Sequence, residues 1–241
     1  PIRPRRNRKS VGLRALTRET LLCPSDFVLP LFLHDLEEDE VIPSMPGCRR
    51  WSLDGMVKEA GEALAVGVPA VVLFPAVDDS LKTKKGVECF NCEGLVQRAI
   101  RALKSAYPEL VVMTDVALDP YSIDGHNGIL EEGEILNDET IEILCKQAVS
   151  QAEAGADIIA PSDMMDGRGG ALRAASDTAG SQKVSIASYP AKYASAFYAP
   201  LRGPFRSPPQ SGYTTSPQMD PSNRPEAPPD HFRDDDTLTD H

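Results

Sequence analysis

Lys192 is the residue with the most chemistry to offer. It follows an apolar run at 184–188, stands between Tyr189 and Tyr193, and is close in sequence to Phe197 and Tyr198. A desolvated, neutral lysine amine is the nucleophile that forms a Schiff base with a ketone. The same neighbours also suit a surface lysine whose stem lies across aromatic rings. Asp115 sits inside an apolar run, where a carboxylate needs either a partner or a catalytic task. Asp119 and His126 belong to the loop Asp119-Pro120-Tyr121-Ser122-Ile123-Asp124-Gly125-His126-Asn127-Gly128. Such an oxygen-rich stretch can hold a hard cation, or it can simply turn.

A second string of interest is Pro161-Ser162-Asp163-Met164-Met165-Asp166-Gly167-Arg168. The two methionines are expected to pack at the mouth of the fold rather than to bind anything. Asp166-Gly167-Arg168 suggests a helix start, either a plain N-cap or one whose first amides face an anion.

Positioning these residues requires strands and helices. Five apolar, β-branched runs flanked by Gly, Pro or Asp predict buried parallel strands at 27–33, 70–74, 110–118, 157–160 and 184–188. Helical periodicity is expected at 53–66, 94–106 and 138–154, the last after a capping signal at Asn137 or Asp138 and ending at Gly155. Strand and helix alternate, which predicts βα units around a parallel sheet. In such folds the reactive groups collect at the carboxyl ends of the strands, where Asp115, Ser162 and Lys192 all fall. From Pro200 onward the prolines at 200, 204, 208, 209, 217, 221, 225, 228 and 229 exclude a long regular helix. The last stretch, rich in Asp, Thr and His, reads as disordered.

Composition narrows the function classes. A formal net charge of −11 argues against a nucleic-acid partner. The local exception, Arg3, Arg5, Arg6, Arg8 and Lys9, reads as a solvated or subunit-contacting arm. No run approaches the ~20 apolar residues needed to span a bilayer, so no membrane association is expected. The chain opens on a proline, which would suit a removed leader. Cysteines stand at 23, 48, 89, 92 and 145. The Cys89-x-x-Cys92 pair has no second pair at zinc-like spacing, and its surroundings at 87–91 look like a loop, so reduced, intracellular thiols are expected.

Taken together, these segments resemble the porphobilinogen synthase (5-aminolevulinate dehydratase) family of plant and algal type. The similarity runs through Arg3-Pro4-Arg5-Arg6-Asn7-Arg8 and Pro43-Ser44-Met45-Pro46-Gly47-Cys48, and is strongest at 115–128, 161–168 and 188–198. The resemblance implies an α/β fold, a TIM (β/α)8 barrel with an N-terminal arm and octameric assembly. It also implies condensation of two 5-aminolevulinate molecules to porphobilinogen, in tetrapyrrole synthesis, through Schiff-base lysines. Lys192 matches the first of these lysines, while Asp115, Ser162 and Tyr198 match pocket residues. Arg202 and Gln218 fall where substrate contacts are expected. Animal relatives place zinc-binding cysteines where this chain has Ala117, Asp119 and Asn127, so thiolate zinc is excluded. The pattern is similar to the magnesium-responsive plastid type, with Asp119 as a candidate ligand.

Against the family pattern, only about five βα units are legible. The expected organisation is an arm at 1–26, a partial barrel at 27–199 and an irregular tail at 200–241. No lysine follows Lys192, the stretch Gly212-Tyr213-Thr214-Thr215 departs from the family's arginine-bearing segment, and Ala199 stands at a usual glycine. An alternative is therefore an inactive chain, at most a non-catalytic partner of complete subunits. A generic one-lysine aldolase-like barrel would share the chemistry but not the matching strings.

Overall fold

In the computed structural model, which describes residues 2–193 and 219–222, the apolar runs pair into one sheet. The strands are β1 (Val28–Leu33), β2 (Glu40–Val41), β3 (Arg49–Trp51), β4 (Ala70–Pro75) and β5 (Val111–Val116). A short hairpin, β6 (Ile129–Glu131) with β7 (Glu134–Leu136), stands apart, and β8 (Ile158–Pro161) and β9 (Ser185–Ile186) complete the sheet. Its order is β2-β3-β1-β4-β5-β8-β9, parallel except for β2 against β3. From β1 through β4, β5 and β8 to β9 each strand pairs in parallel with the one before it, while β3, with β2 beyond it, lies on the other side of β1. The run of βα units added in one direction is the winding that barrels use.

The helices are α1 (Val11–Leu16), α2 (Leu53–Ala65), α3 (Leu95–Ala106), α4 (Asn137–Ala154) and α5 (Arg168–Thr178). Sequential helices pack side by side, α2 on α3, α3 on α4 and α4 on α5. On α3, Val96, Ala99, Ile100 and Leu103 are buried at helical spacing against Val71, Leu73 and Val112 of the sheet. Each large apolar side chain withdrawn from water there contributes roughly 1.5–3 kcal/mol. Capping explains where helices begin and end. Ser52 accepts from the Gly55 amide at 3.1 Å and is itself held by Asp39. The Asp39 carboxylate lies where a Cβ on Gly55 would project, so any larger residue there would have to displace it from Ser52. At the other end of α4, Gly155 takes φ 110° and closes the helix.

Several expectations need correction. The cap of α4 is Leu136, not Asn137 or Asp138, and it makes no side-chain bond. Asn137 is instead drawn away to bond both backbone groups of Asp166, at 2.8 and 3.2 Å. The helix start expected at Asp166-Gly167-Arg168 is present, with α5 beginning at Arg168 and Gly167 as its cap at φ 78°. Residues Val87–Phe90 form a 3-10 turn rather than a loop, with Cys89 buried in it. The third strand ends at Val116, two residues early, because the Leu118 amide turns to the Asn127 carbonyl. All five cysteines are free thiols. Residues 2–28 stay exposed along their length, with Val11, Leu16, Leu21 and Leu22 uncovered. Of the expected tail at 200–241, only 219–222 are among the described residues.

Candidate active site

Three strand ends and one loop converge on Lys192. The pairing of β8 with β9 continues beyond regular strand, since the Ala187 amide bonds Ile159 O at 2.9 Å and the Tyr189 amide bonds Pro161 O at 3.2 Å. This extension delivers Lys192 beside the residue that follows β8, and its Nζ donates to the Ser162 carbonyl. The Ser162 side chain lies near enough to the Asp115 carboxyl group to favour its charged form. Ser162 therefore stands between the two groups, its carbonyl toward Lys192 and its hydroxyl on the side of Asp115. On the far side, Met219 donates its amide to Lys192 O at 2.9 Å.

The loop after β5 adds a third contact. Because Leu118 N bonds Asn127 O, the ten-residue excursion returns Asn127 to the strand end. With its amide nitrogen toward Asp119 and its oxygen toward Lys192, Asn127 donates to Asp119 Oδ1 at 3.3 Å and accepts from Lys192 Nζ at 3.3 Å. The opposite orientation would set acceptor against acceptor and donor against donor.

Burial dominates the electrostatics. Asp115 lies in the sheet interior with Oδ1 unpartnered. Desolvation, reinforced by the Asp119 charge, raises its pKa to about 7, although the Ser162 side chain and Lys192 both oppose this. Asp163, completely buried, is raised to about 6 by desolvation against the pull of Arg168, the Met165 amide and Lys192. Asp119 is also raised by desolvation, opposed first by Lys192 and also by Lys82. A carboxyl group that titrates near neutrality beside an amine can take a proton from it and return it.

Of the residues singled out from sequence, the fold brings Asp115, Ser162, Asp119 and Lys192 together. His126 is buried and Met165 packs in the core. Tyr198, Arg202 and Gln218 lie outside the described residues. Sequence reasoning missed Asp163 and Lys82 altogether. Lys82 is 7% exposed, paired with Asp79 at 2.8 Å, and its charge reaches Asp119. It follows β4, the neighbouring strand, so its place at a strand end was the available signal. For a metal the donor set is poor. Among the described residues no group of three or more His, Cys, Asp or Glu could hold one, and Asp119 faces two lysines.

A family model of delta-aminolevulinic acid dehydratase matches residues 1–240. The chain belongs to that family. It is 58% identical to the chloroplastic delta-aminolevulinic acid dehydratase of Glycine max over 228 residues, covering 93% of this chain and 55% of the relative. With Arabidopsis thaliana delta-aminolevulinic acid dehydratase 1, chloroplastic, identity is 57%, again over 93% of this chain and 53% of the relative. The chain thus spans about half the length of the curated relatives it matches. Among solved structures it is similar to the Toxoplasma gondii delta-aminolevulinic acid dehydratase (porphobilinogen synthase) in complex with the reaction product porphobilinogen. The TM-score is 0.97 at 48% identity, with 100% of this chain and 69% of that one covered. The parallel sheet and its helices are accordingly the α/β architecture of the dehydratase family.

Proposed function

We propose that this dehydratase-family chain carries a porphobilinogen synthase site in which Lys192 forms a Schiff base with 5-aminolevulinate. The observation that carries the reading is a lysine at the carboxyl end of a sheet, bonded to Ser162 O and Asn127, beside a carboxyl group that titrates near pH 7. The Lys192 ammonium first gives a proton to a carboxylate, for which Asp115 is the assigned acceptor; the neutral nitrogen then attacks the ketone carbon, and one of its remaining N–H protons moves to the carbonyl oxygen. The resulting carbinolamine expels its hydroxyl group as water, using a proton returned from Asp115, and leaves an iminium. Two such substrate molecules condense with loss of water to the pyrrole porphobilinogen, a step toward tetrapyrroles. Tyr198, Arg202 and Gln218 are assigned to substrate contacts on the strength of the family resemblance.

Asp119 serves this reading through charge. The cations that act on it are Lys192 and Lys82, so we assign it to holding the positive nitrogen rather than to binding magnesium. The similarity to chloroplastic enzymes supports a plastid location. Uncovered apolar residues along 2–28 support assembly of several copies through the arm. No helix among the described residues is long and apolar enough to cross a membrane.

The test is borohydride reduction in the presence of 5-aminolevulinate, followed by peptide mass spectrometry. An adduct is expected on Lys192 and is expected to vanish in Lys192→Met. Adduct on other lysines only, or none on folded protein, would sink the assignment.

A further inference from the structure

The chain leading to Lys192 runs beyond regular strand. Ladder pairing of β9 ends at Ile186, six residues before the lysine, and isolated contacts secure residues 187–192. One of them comes from Arg168, the first residue of α5, which is 4% exposed. Its guanidinium donates through Nη1 to Met165 O at 3.2 Å and through Nη2 to Tyr189 O at 3.0 Å. Its Nε stands 3.6 Å from Asp163 Oδ2, and the Met164 sulfur lies 3.9 Å from Nη2. Met164 itself is forced to φ 72°, a conformation that non-glycine residues rarely adopt. Such strain persists only where the surroundings over-determine it. The loop after β8 thus carries this conformation where Asp163, Met164 and Met165 all contact the Arg168 side chain.

We propose that Arg168 is a positioning residue that ties the extension of β9 to the loop carrying Ser162, and thereby sets where Lys192 Nζ stands relative to Asp115. The inference rests on the Schiff-base reading of Lys192 for its consequence, but the clamp itself rests on geometry. Tyr189 is fixed from two sides, its amide by Pro161 O and its carbonyl by Arg168. Asp163 supplies the counter-charge that a buried guanidinium requires. A planar fork with five N–H donors can reach both carbonyls and the carboxylate together, whereas a lysine ammonium on a flexible stem cannot reproduce that geometry. The bonds that Arg168 makes to Met165 O and Tyr189 O do not reach Lys192 Nζ or the Asp115 carboxyl group, so its effect passes through the backbone at Tyr189.

The experiment compares wild type with Arg168→Lys and Arg168→Met by two readouts. The first is hydrogen–deuterium exchange of the peptide containing 187–193, which needs no substrate. The second is the rate of borohydride trapping on Lys192 at saturating 5-aminolevulinate. In Arg168→Lys, exchange in this peptide is expected to accelerate about 10- to 100-fold, the weight of one lost charge-assisted hydrogen bond, with exchange elsewhere unchanged. Trapping at saturation is expected to fall about 10- to 100-fold, as it does when a reactive group is misplaced by about 1 Å. Arg168→Met should be slower still, and added guanidinium at low millimolar concentration should partly restore its trapping. Unchanged exchange at 187–193 in both variants would overturn the proposal. So would faster exchange across the whole chain without guanidinium rescue, since that marks a general stabilising role. If wild type itself gives no Lys192 adduct, the Schiff-base reading fails while the exchange result still decides the clamp.

Discussion

Replacing Asp115 with asparagine isolates one large electrostatic cost in the site. In the folded chain, burial and the neighbouring Asp119 move this carboxyl group from an ordinary 3.8 to about 7. The folded state therefore holds the Asp115 proton more tightly than the unfolded state does. Below pH 3.8 both states are protonated, and the full stability is present. As pH rises through about 7, the unfolded chain releases the proton first, so that stability is progressively lost. The gap between 3.8 and about 7 corresponds to roughly 4 kcal/mol at pH 8, an upper limit because each unit is worth 1.36 kcal/mol and neighbouring groups share the effect.

Asparagine keeps the shape of the side chain and has no proton to lose. Asp115→Asn is thus expected to match wild type near pH 4 and to be the more stable protein at pH 8, by as much as about 4 kcal/mol. In a domain of this size, 1 kcal/mol moves the melting temperature by about 2–4 °C, so the gap is readable by thermal or urea denaturation across pH 4–8. Asp163, raised to about 6, contributes the same trend to both proteins and largely cancels in the difference. A gap that does not widen with pH would refute the reasoning. So would an Asp115→Asn protein less stable than wild type at pH 8, because Lys192 attraction would then outweigh burial. The same variant is expected to trap less substrate despite its greater stability, the usual exchange where a site stores unfavourable charge.

Two further outcomes concern the scaffold. The two-residue turn between β6 and β7 places both Glu132 (φ 51°) and Gly133 (φ 89°) in the left-handed region, where asparagine followed by glycine is preferred. Glu132→Asn, at an exposed position between Glu131 and Glu134, should stabilise the chain by about 0.5–1 kcal/mol in urea denaturation, and a loss would refute the turn assignment. Gln147 on α4 is fully buried with neither amide atom partnered. Gln147→Met, nearly equal in volume, should gain about 1–3 kcal/mol in the same assay by removing that cost. A destabilised variant would show that internal water satisfies the amide.

Strands β1, β4, β5, β8 and β9 were legible because each lies in a near-continuous apolar run, whereas β2 and β3 are too short and too polar to show. Strand ends were less legible, because a ladder stops where a partner from elsewhere takes the next amide, as Asn127 does at Leu118. The hairpin β6–β7 was missed since its runs are only three residues long, although Glu132-Gly133 carried a turn signal. Within the site, Asp115 betrayed itself as a charge in an apolar strand, and Lys192 as a lysine among aromatics. Asp163 and Arg168 gave no comparable signal. Their roles depend on Tyr189, which is 21 residues from Arg168 and meets it only through the pairing of β8 with β9. The bond that fixes Asn137 to Asp166 spans 29 residues and likewise has no local trace. Periodicity reports burial, whereas convergence of strand ends is a property of the assembled sheet.

That convergence also bears on how the site manages charge. Three buried or enclosed acids, Asp115, Asp119 and Asp163, face three cations, Lys82, Lys192 and Arg168. On the Schiff-base reading, a proton leaves Lys192 before attack, which removes one positive charge, and Asp115 can absorb that proton so that the cluster keeps its balance. An ammonium presents three N–H donors, but an iminium presents one. Formation of the Schiff base must therefore release Ser162 O, the Asn127 amide or both, which are acceptors that the lysine nitrogen engages among the described residues. Ser162 O is fixed by the strand, while Asn127 sits on a loop. The side chain free to turn toward the departing hydroxyl group is thus Asn127, and Asp119 behind it keeps its charge directed at the nitrogen throughout.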